Sequence, residues 1–375
     1  MYLFVRSSTN PGPRVSRVMR YFEELGKATV YLSPRRTGDV PDNSPRDLGI
    51  LGNYDYFDGS GIFQFVVFLF KVNLEVAKKI YSNRKNLKMV HFSDLEVVLF
   101  GGLLCRFFRI PYAYNIHDNF FQRYEFSMVI SAFLKYLECF YILLSSVTLV
   151  PEMFRKSAYP STCHKKIEVL RNFPDFDVRT EIKTFETGIV RLFYGGWISQ
   201  NRNISQYFDL AFALKNRGFK VEMVLCGWGD KNYLKTLHEK FSEHDLGFKY
   251  LGQLSQKESV AWLQKSNISI AYYSPDKTIN ILAASNKIPE IIGSSTILIT
   301  NKHTEIAQVL APLDISLQFD QCVSEIIDPL VDLLSNPKIL KGLLERATDF
   351  YSKEYTPTKL QLAMDQAFAK ILVTD

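Results

Sequence analysis

Apolar residues along this chain alternate between two rhythms. Short apolar runs at residues 3–6, 28–32, 89–92, 112–116, 147–150 and 167–170 have the length of buried strands. Between them lie longer segments with apolar residues at helical spacing. Residues 14–25 carry Val15, Val18, Met19, Phe22 and Leu25 on one helical face, and Gly26 ends the helix. Further helices are predicted over 61–83, 95–108, 127–143 and near 152–157, while the stretch holding Pro34, Pro41 and Pro45 is left without an element. The second half restarts the rhythm. A strand over 189–194 runs into Gly195-Gly196-Trp197, and a strand over 219–226 opens into Gly227-Trp228-Gly229-Asp230. Strands over 248–251, 268–273 and 296–300 follow, with helices over 204–216, 233–241, 255–266 and 359–371. Ser255 and Glu258 have the spacing of a capping box at the start of one of these helices.

Strands alternating with helices of this length imply right-handed crossovers and a mostly parallel sheet in each half. The expected fold class is α/β, with two Rossmann-like domains whose parallel sheets face across a cleft. The first domain is expected over residues 1–180 and the second over 186–355, joined by a charged, aperiodic linker at 176–188. With 375 residues and 47% apolar content, the chain has material for two cores.

Charge is unevenly distributed. Residues 1–185 hold 25 Lys and Arg against 18 Asp and Glu, a net +7, whereas the remainder is −1. The excess sits in Arg14, Arg17, Arg20, Arg35, Arg36, Lys78, Lys79, Arg84, Lys85, Lys88, Arg106 and Arg109. Such a distribution is either a set of solvated helix faces or an approach to something anionic, such as a membrane surface or a phosphorylated acceptor. No nucleic-acid-binding module accompanies it, so nucleic acid is not an expected partner. Five scattered cysteines without a C-x-x-C pair point to reduced thiols in a cytoplasmic protein and away from a zinc site. The apolar segment 62–70 is too short to span a bilayer, and Lys135 and Glu138 interrupt 128–150. The expectation is a cytoplasmic protein, at most peripheral at the inner face of a membrane.

Residues 285–293 hold the most informative chemistry. Ser285-Asn286-Lys287 opens a short predicted helix, Glu290 lies one turn in, and Gly293 closes it before an apolar strand. Free N–H groups and the mobile charge of Lys287 suit an anion, and Glu290 suits neighbouring sugar hydroxyls. Phosphate beside a ribose diol is what a nucleotide-sugar presents; a well-capped helix in any α/β protein would read the same way.

Six motifs in order give the chain a resemblance to the GT-B glycosyltransferases, in particular the retaining family-four group. They are Pro13-Arg14-Val15 with its helix and Gly26; His91-Phe92-Ser93-Asp94; Tyr114-Asn115-Ile116-His117-Asp118; Asn172-Phe173-Pro174-Asp175; the glycines of Tyr194-Gly195-Gly196, Cys226-Gly227-Trp228-Gly229 and Leu251-Gly252; and Ser285-Asn286-Lys287-x-x-Glu290. The chain departs from that pattern at three points, one of them Ser294-Ser295 where a proline usually follows the helix. Trp197 stands where an arginine is usual, leaving Arg202 as the obvious cation of a pair, and Leu282 stands where a first acidic residue is usual.

The resemblance implies transfer of a sugar from a nucleotide-diphosphate sugar to a hydroxyl of a glycan or lipid-linked acceptor. It implies retention of configuration, in synthesis of cell-surface polysaccharide or glycoconjugate, with no cofactor and no metal required. It also implies roles. His117 and Glu290 would be catalytic, with His117 near the reacting carbon and Glu290 on the ribose. Gly196, Arg202, Gly227, Ser285, Asn286 and Lys287 would hold the donor. Asn10, Gly12 and Arg14 would face the donor phosphate or the acceptor. Structural alternatives stand beside these: a capping role for Asn286, a hydrogen-bonded structural role for His117, and a loop-orienting role for His91. Trp197 and Trp228 belong either to the sugar pocket or to the core. The last helix is expected to return to the first domain, as in the family. A nucleotide-sugar epimerase of the same fold and a non-catalytic glycosyltransferase-like subunit are the alternative functions.

Overall fold

A computed structural model describes residues 1–36, 47–54, 61–123, 126–174 and 188–373. Asp175 of the Asn172 motif and nearly all of the expected linker lie outside the described residues. Packing divides the chain into two units, residues 1–171 with 357–375, and residues 172–356.

The first unit is built on seven parallel strands: β1 (Tyr2–Arg6), β2 (Thr29–Arg36), β3 (Asp47–Tyr54), β4 (Met89–Ser93), β5 (Tyr112–Asn115), β6 (Val147–Val150) and β7 (Ile167–Val169). Their order across the sheet is β3-β2-β1-β4-β5-β6-β7, the doubly wound pattern that reverses direction beside β1. Alternation along each strand sends side chains to two cores. One face of β1, β4 and β5 carries Tyr2, Phe4, Met89 and Ala113 against helices Gly12–Glu24 and Pro357–Leu372, where Val15, Val18, Met19, Phe22, Phe368 and Ile371 are buried. The other face carries Leu3, Val5, Val90, Phe92, Tyr112 and Tyr114 against helices Ile62–Asn83, Leu95–Phe107 and Met128–Leu144. Leu25, expected in the apolar stripe of the first helix, follows its end and is exposed.

β3 is absent from the sequence expectation. Its apolar residues are diluted by Gly49 and Gly52, and it pairs only with β2 at the sheet edge. β2 itself runs past Pro34, and its register with β3 slips between Tyr31 and Ser33 and again between Ser33 and Arg35. A proline cannot donate to the ladder, so the sheet accommodates it with an irregularity there.

The second unit has six parallel strands: β8 (Ile189–Ile198), β9 (Lys220–Gly229), β10 (Gly247–Tyr250), β11 (Ile268–Ala271), β12 (Ile297–Asn301) and β13 (Ser316–Phe319), ordered β10-β9-β8-β11-β12-β13. Leu192, Met223, Ile268, Ile270, Ile297 and Ile299 are buried with Leu210, Leu214 and Leu330 from covering helices. The capping box forms as expected: Ser255 N–H donates to Glu258 Oε2 at 2.9 Å and Glu258 N–H to Ser255 Oγ at 3.3 Å.

Two expected glycine turns prove to be strand. Gly195, Gly196, Trp197 and Ile198 stay paired with Cys226, Gly227, Trp228 and Gly229, so β8 and β9 project together as a ribbon. Glycine is required because the two backbones nearly touch. At Gly227 (φ +135°) a Cβ would sit 1.8 Å from the Gly196 carbonyl oxygen, and at Gly229 (φ +149°) 2.0 Å from that of Ile198.

No helix among the described residues is long and apolar enough to cross a membrane.

Candidate functional site

Ligands of doubly wound sheets bind beyond the carboxyl ends of the strands, and each unit gathers polar side chains there.

In the second unit the ribbon and helix Lys287–Gly293 meet. Gly196 lies against Lys287: a Cβ on that glycine would stand 3.5 Å from Lys287 Nζ. The ammonium sits over the Tyr194 ring, 4.0 Å from its centroid, a cation–π contact that fixes its direction. Burial and the neighbouring Arg202 pull its pKa down to about 8, against the pull of Glu290. Glu290 lies on the same helix face one turn later, and its Oε1 accepts from Gln256 Nε2 at 3.1 Å. Both line a cavity of about 30 Å³ with Tyr194, Gly195, Tyr207 and Ser259, room for a water but not for a ligand.

The capping alternative for Asn286 does not hold. Asn286 is already in helical conformation and makes no side-chain cap; Ser285 Oγ instead accepts the Lys287 N–H at 3.0 Å. Asn286 Oδ1 is buried without a hydrogen-bond partner among the described residues. An orphaned acceptor suits a hydroxyl donor better than a phosphate oxygen. Asn172 braces the segment by donating from Nδ2 to the Ala284 carbonyl at 2.6 Å, so the asparagine read as the end of the first domain supports the second unit's site.

Arg202 is exposed in the turn Gln200–Arg202, its guanidinium 5.7 Å from the Trp197 ring centroid. Trp197 and Trp228 are neighbours in register and are 45% and 56% exposed, so neither is a core residue. Gly227 holds its place through backbone bonds, its N–H donating to Gly252 O at 2.8 Å and its carbonyl accepting from Tyr250 Oη at 2.9 Å.

In the first unit, the expected loop residues hold one another. Asn10 Oδ1 accepts the Gly12 N–H at 2.7 Å, and Arg6 Nη1 donates to the Pro11 carbonyl at 2.6 Å. Arg14, from the first turn of the following helix, is buried on the sheet. None of its three guanidinium nitrogens has a hydrogen-bond partner among the described residues, and burial with the adjacent Arg17 pulls its pKa down to about 9.

His91 and Ser93 project from β4 and Asn115 from the facing position of β5, all on the sheet face that this helix covers. Both ring nitrogens of His91, Ser93 Oγ and both amide atoms of Asn115 are likewise buried without a hydrogen-bond partner among the described residues. The result is a buried polar cluster that includes the Arg14 cation, with Arg17 buried beside it. His91 packs against Phe4, ring centroids 4.9 Å apart, and burial, then His117 and Arg14, push its pKa down to about 3. It lies inside a strand and orients no loop, contrary to the sequence expectation.

That task falls to Asp94, to which sequence reasoning assigned no role. Its Oδ1 accepts the His117 N–H at 2.8 Å and its Oδ2 lies 3.2 Å from His117 Nδ1. Burial alone would raise this carboxyl, but His117, Arg123 and Arg6 hold it below the usual range. Asp94 adopts φ 70°, ψ 165°, a region that costs a non-glycine residue about 1–3 kcal/mol. Burial lowers the His117 pKa against the pull of Asp94, so the ring is neutral at pH 7 with Nδ1 held toward the carboxylate. Nearby Asp118 and Asn119 are bound by Arg155, at 2.9 and 3.0 Å.

No protein-family model matches the chain, and no curated protein matches it. Solved structures match its fold. Sucrose-phosphate synthase from Thermosynechococcus elongatus superposes with a TM-score of 0.72 at 13% identity, covering 100% of this chain and 99% of that one. Anabaena HepE, solved in complex with UDP-glucose, gives 0.66 at 13% identity, covering 100% and 99%. A glycosyltransferase from Rickettsia africae gives 0.65 at 14% identity, covering 100% and 99%. The chain therefore has the GT-B fold of these proteins; at such identities the likeness is one of fold alone.

Proposed function

We propose that this protein transfers a sugar from a nucleoside-diphosphate sugar to a hydroxyl acceptor. The observation that carries the reading is the meeting of Lys287, Gly196 and Glu290 at the strand ends of the second unit. Gly196 leaves room beside a cation directed by Tyr194, and a carboxylate follows one helical turn on. A diphosphate at Lys287 places its ribose hydroxyls toward Glu290, which accepts from them, and a further hydroxyl satisfies Asn286 Oδ1. As the bond to the sugar breaks, charge develops on the departing diphosphate, and Lys287 with Arg202 stabilises it. The exposed Trp197–Trp228 pair offers flat faces beside Arg202. In the first unit His117, neutral and directed by Asp94, is the proposed catalytic imidazole.

The order of the sequence motifs supports a retaining, family-four reaction, and the binding of UDP-glucose by a protein of this fold supports a nucleotide-sugar donor. The proposed acceptor is a lipid-linked glycan in glycoconjugate synthesis at the cytoplasmic face of a membrane. Exposed Met128, Val129, Phe133 and Tyr136 on helix Met128–Leu144 support an apolar partner.

A thermal-shift panel of UDP, GDP, ADP, CMP and their sugars, on wild type and Glu290→Ala, tests the reading. Ligand at 100 times its dissociation constant stabilises by about 2.7 kcal/mol. The expected result is one nucleotide-selective shift, lost in the variant. No shift with any nucleotide overturns the donor site; binding without turnover across acceptors moves the reading to a non-catalytic subunit.

A further inference from the structure

The far edge of the first unit's sheet carries a second feature, independent of the sugar site. A cavity of about 690 Å³ lies at the amino ends of β4 to β7, where Lys88, Arg109-Ile110-Pro111, Ser146 and Lys166 lead into the strands. Its volume is that of a small-molecule site. Six cations line it, Arg84, Lys88, Arg106, Arg109, Lys166 and Lys370, and no carboxylate is among the lining residues. Four of them, Arg84, Lys88, Arg106 and Arg109, belong to the basic excess noted in the sequence; folding adds Lys166 and Lys370 from distant segments.

Helix ends explain part of this charge. Helices Ile62–Asn83, Leu95–Phe107, Met128–Leu144 and Pro357–Leu372 all end at the cavity. Each carboxyl end carries on the order of −0.5 charge, about −2 in total. Two of the cations satisfy such ends directly: Arg84 Nη1 donates to Tyr81 O at 2.7 Å, and Lys166 Nζ to Ser145 O at 2.8 Å. Against six cations this leaves a surplus of about +4. Arg106, Arg109 and Lys370 have no ion pair among the described residues. The crowding is felt at Lys166, whose pKa is lowered by burial and then by Lys370 and Arg106.

Like charges gathered around a low-dielectric hollow focus a strong positive potential. A single carboxylate is too weakly charged to balance it, whereas phosphate groups match both the charge and the forked geometry of three arginines. We propose that this basin binds a ligand bearing two phosphate groups. The rim includes Phe107, 77% exposed and stacked edge-on against Phe108, and exposed Tyr81, which also packs on Phe108. The diphosphate arrives either as a soluble molecule or as the headgroup of a lipid whose chains meet these rings.

Two arms separate the sources. Calorimetry with inorganic pyrophosphate reads the soluble ligand, and flotation on phosphatidylcholine vesicles with or without diacylglycerol diphosphate reads the headgroup. The variants are Arg106→Ala/Lys370→Ala, both at exposed positions, and Arg109→Gly. Arg109 has φ +57°, so glycine removes the cation while relieving backbone strain. Pyrophosphate affinity is expected to fall roughly tenfold or more in the double variant and severalfold in Arg109→Gly, with melting temperatures unchanged. Lys287→Ala, in the other unit, should leave it intact. Flotation that needs the diphosphate lipid and is lost in the double variant assigns the headgroup source; pyrophosphate binding without flotation assigns the soluble one. Absence of both in wild type, equal binding by the variants, or a loss that follows Lys287→Ala instead overturns the proposal.

Discussion

At the carboxyl ends of the second sheet the polar groups hold one another: Lys287 rests on Tyr194, Glu290 accepts from Gln256, and Ser285 caps the helix. At the corresponding ends of the first sheet, Arg14, His91, Ser93 and Asn115 are buried with polar atoms that have no hydrogen-bond partner among the described residues. The second unit's site is preorganised and open to solvent in part, so a ligand meets groups already directed. The first unit's cluster holds a cation without a hydrogen bond among the described residues, a state that costs stability until water or a ligand completes it.

The largest expected effect tests whether the second site depends on its ribbon. Gly227→Ala drives a Cβ into the Gly196 carbonyl, so it should cost about 4 kcal/mol or more, measured by denaturant unfolding. Next, Glu290→Ala should lower kcat/KM roughly 100-fold or more, about 2.7 kcal/mol, with the unfolding midpoint little changed. Near-wild-type kinetics would remove Glu290 from the site.

Arg14→Met sharpens the contrast from the other side. Replacing an unpaired buried cation with an apolar chain of similar length should raise stability by about 1–4 kcal/mol while reducing transfer. A loss of stability would mean that the Arg14 charge is compensated where it is buried.

The pH response of the second site comes next. Lys287 is charged below its pKa of about 8 and loses its proton above it. Nucleotide affinity should therefore be steady between pH 7 and that value and fall as pH rises beyond it, by at most about tenfold per unit. Lys287→Met should bind more weakly and lose this dependence, as calorimetry across pH would read. The smallest effect is expected for Trp197→Ala, a severalfold rise in donor KM, about 1 kcal/mol, with stability unaffected because the ring is exposed.

Much of the fold was legible from the chain. Eleven of the thirteen strands among the described residues were anticipated from apolar runs, because a strand buried on both faces must be apolar along its length. The exceptions, β3 with its two glycines and β13 (Ser316–Phe319), are edge strands, where that requirement relaxes. Conversely, Gly195-Gly196 and Gly227-Trp228-Gly229 look like turns locally, and only their mutual pairing makes them strand. Among the site residues, Lys287, Glu290 and Gly196 were found from spacing and resemblance, and the structure brings them together. Asp94, Tyr194, Gln256 and Ser93 were assigned no role. Their part depends on partners distant in sequence, as with Asp94 and His117, 23 residues apart.

The sequence by itself determined the alternation of elements, the two-unit organisation and the helix that presents Lys287 and Glu290. Those follow from short-range periodicity and from backbone rules acting over a few residues. Tertiary structure alone decided which polar groups were left without partners and which cations converged. Arg84, Arg109, Lys166 and Lys370 share one hollow only because four strand starts and four helix ends meet there. Charge and hydrogen bonding act through space, and neither the orphaned guanidinium of Arg14 nor the basic hollow exists until the chain has closed around them.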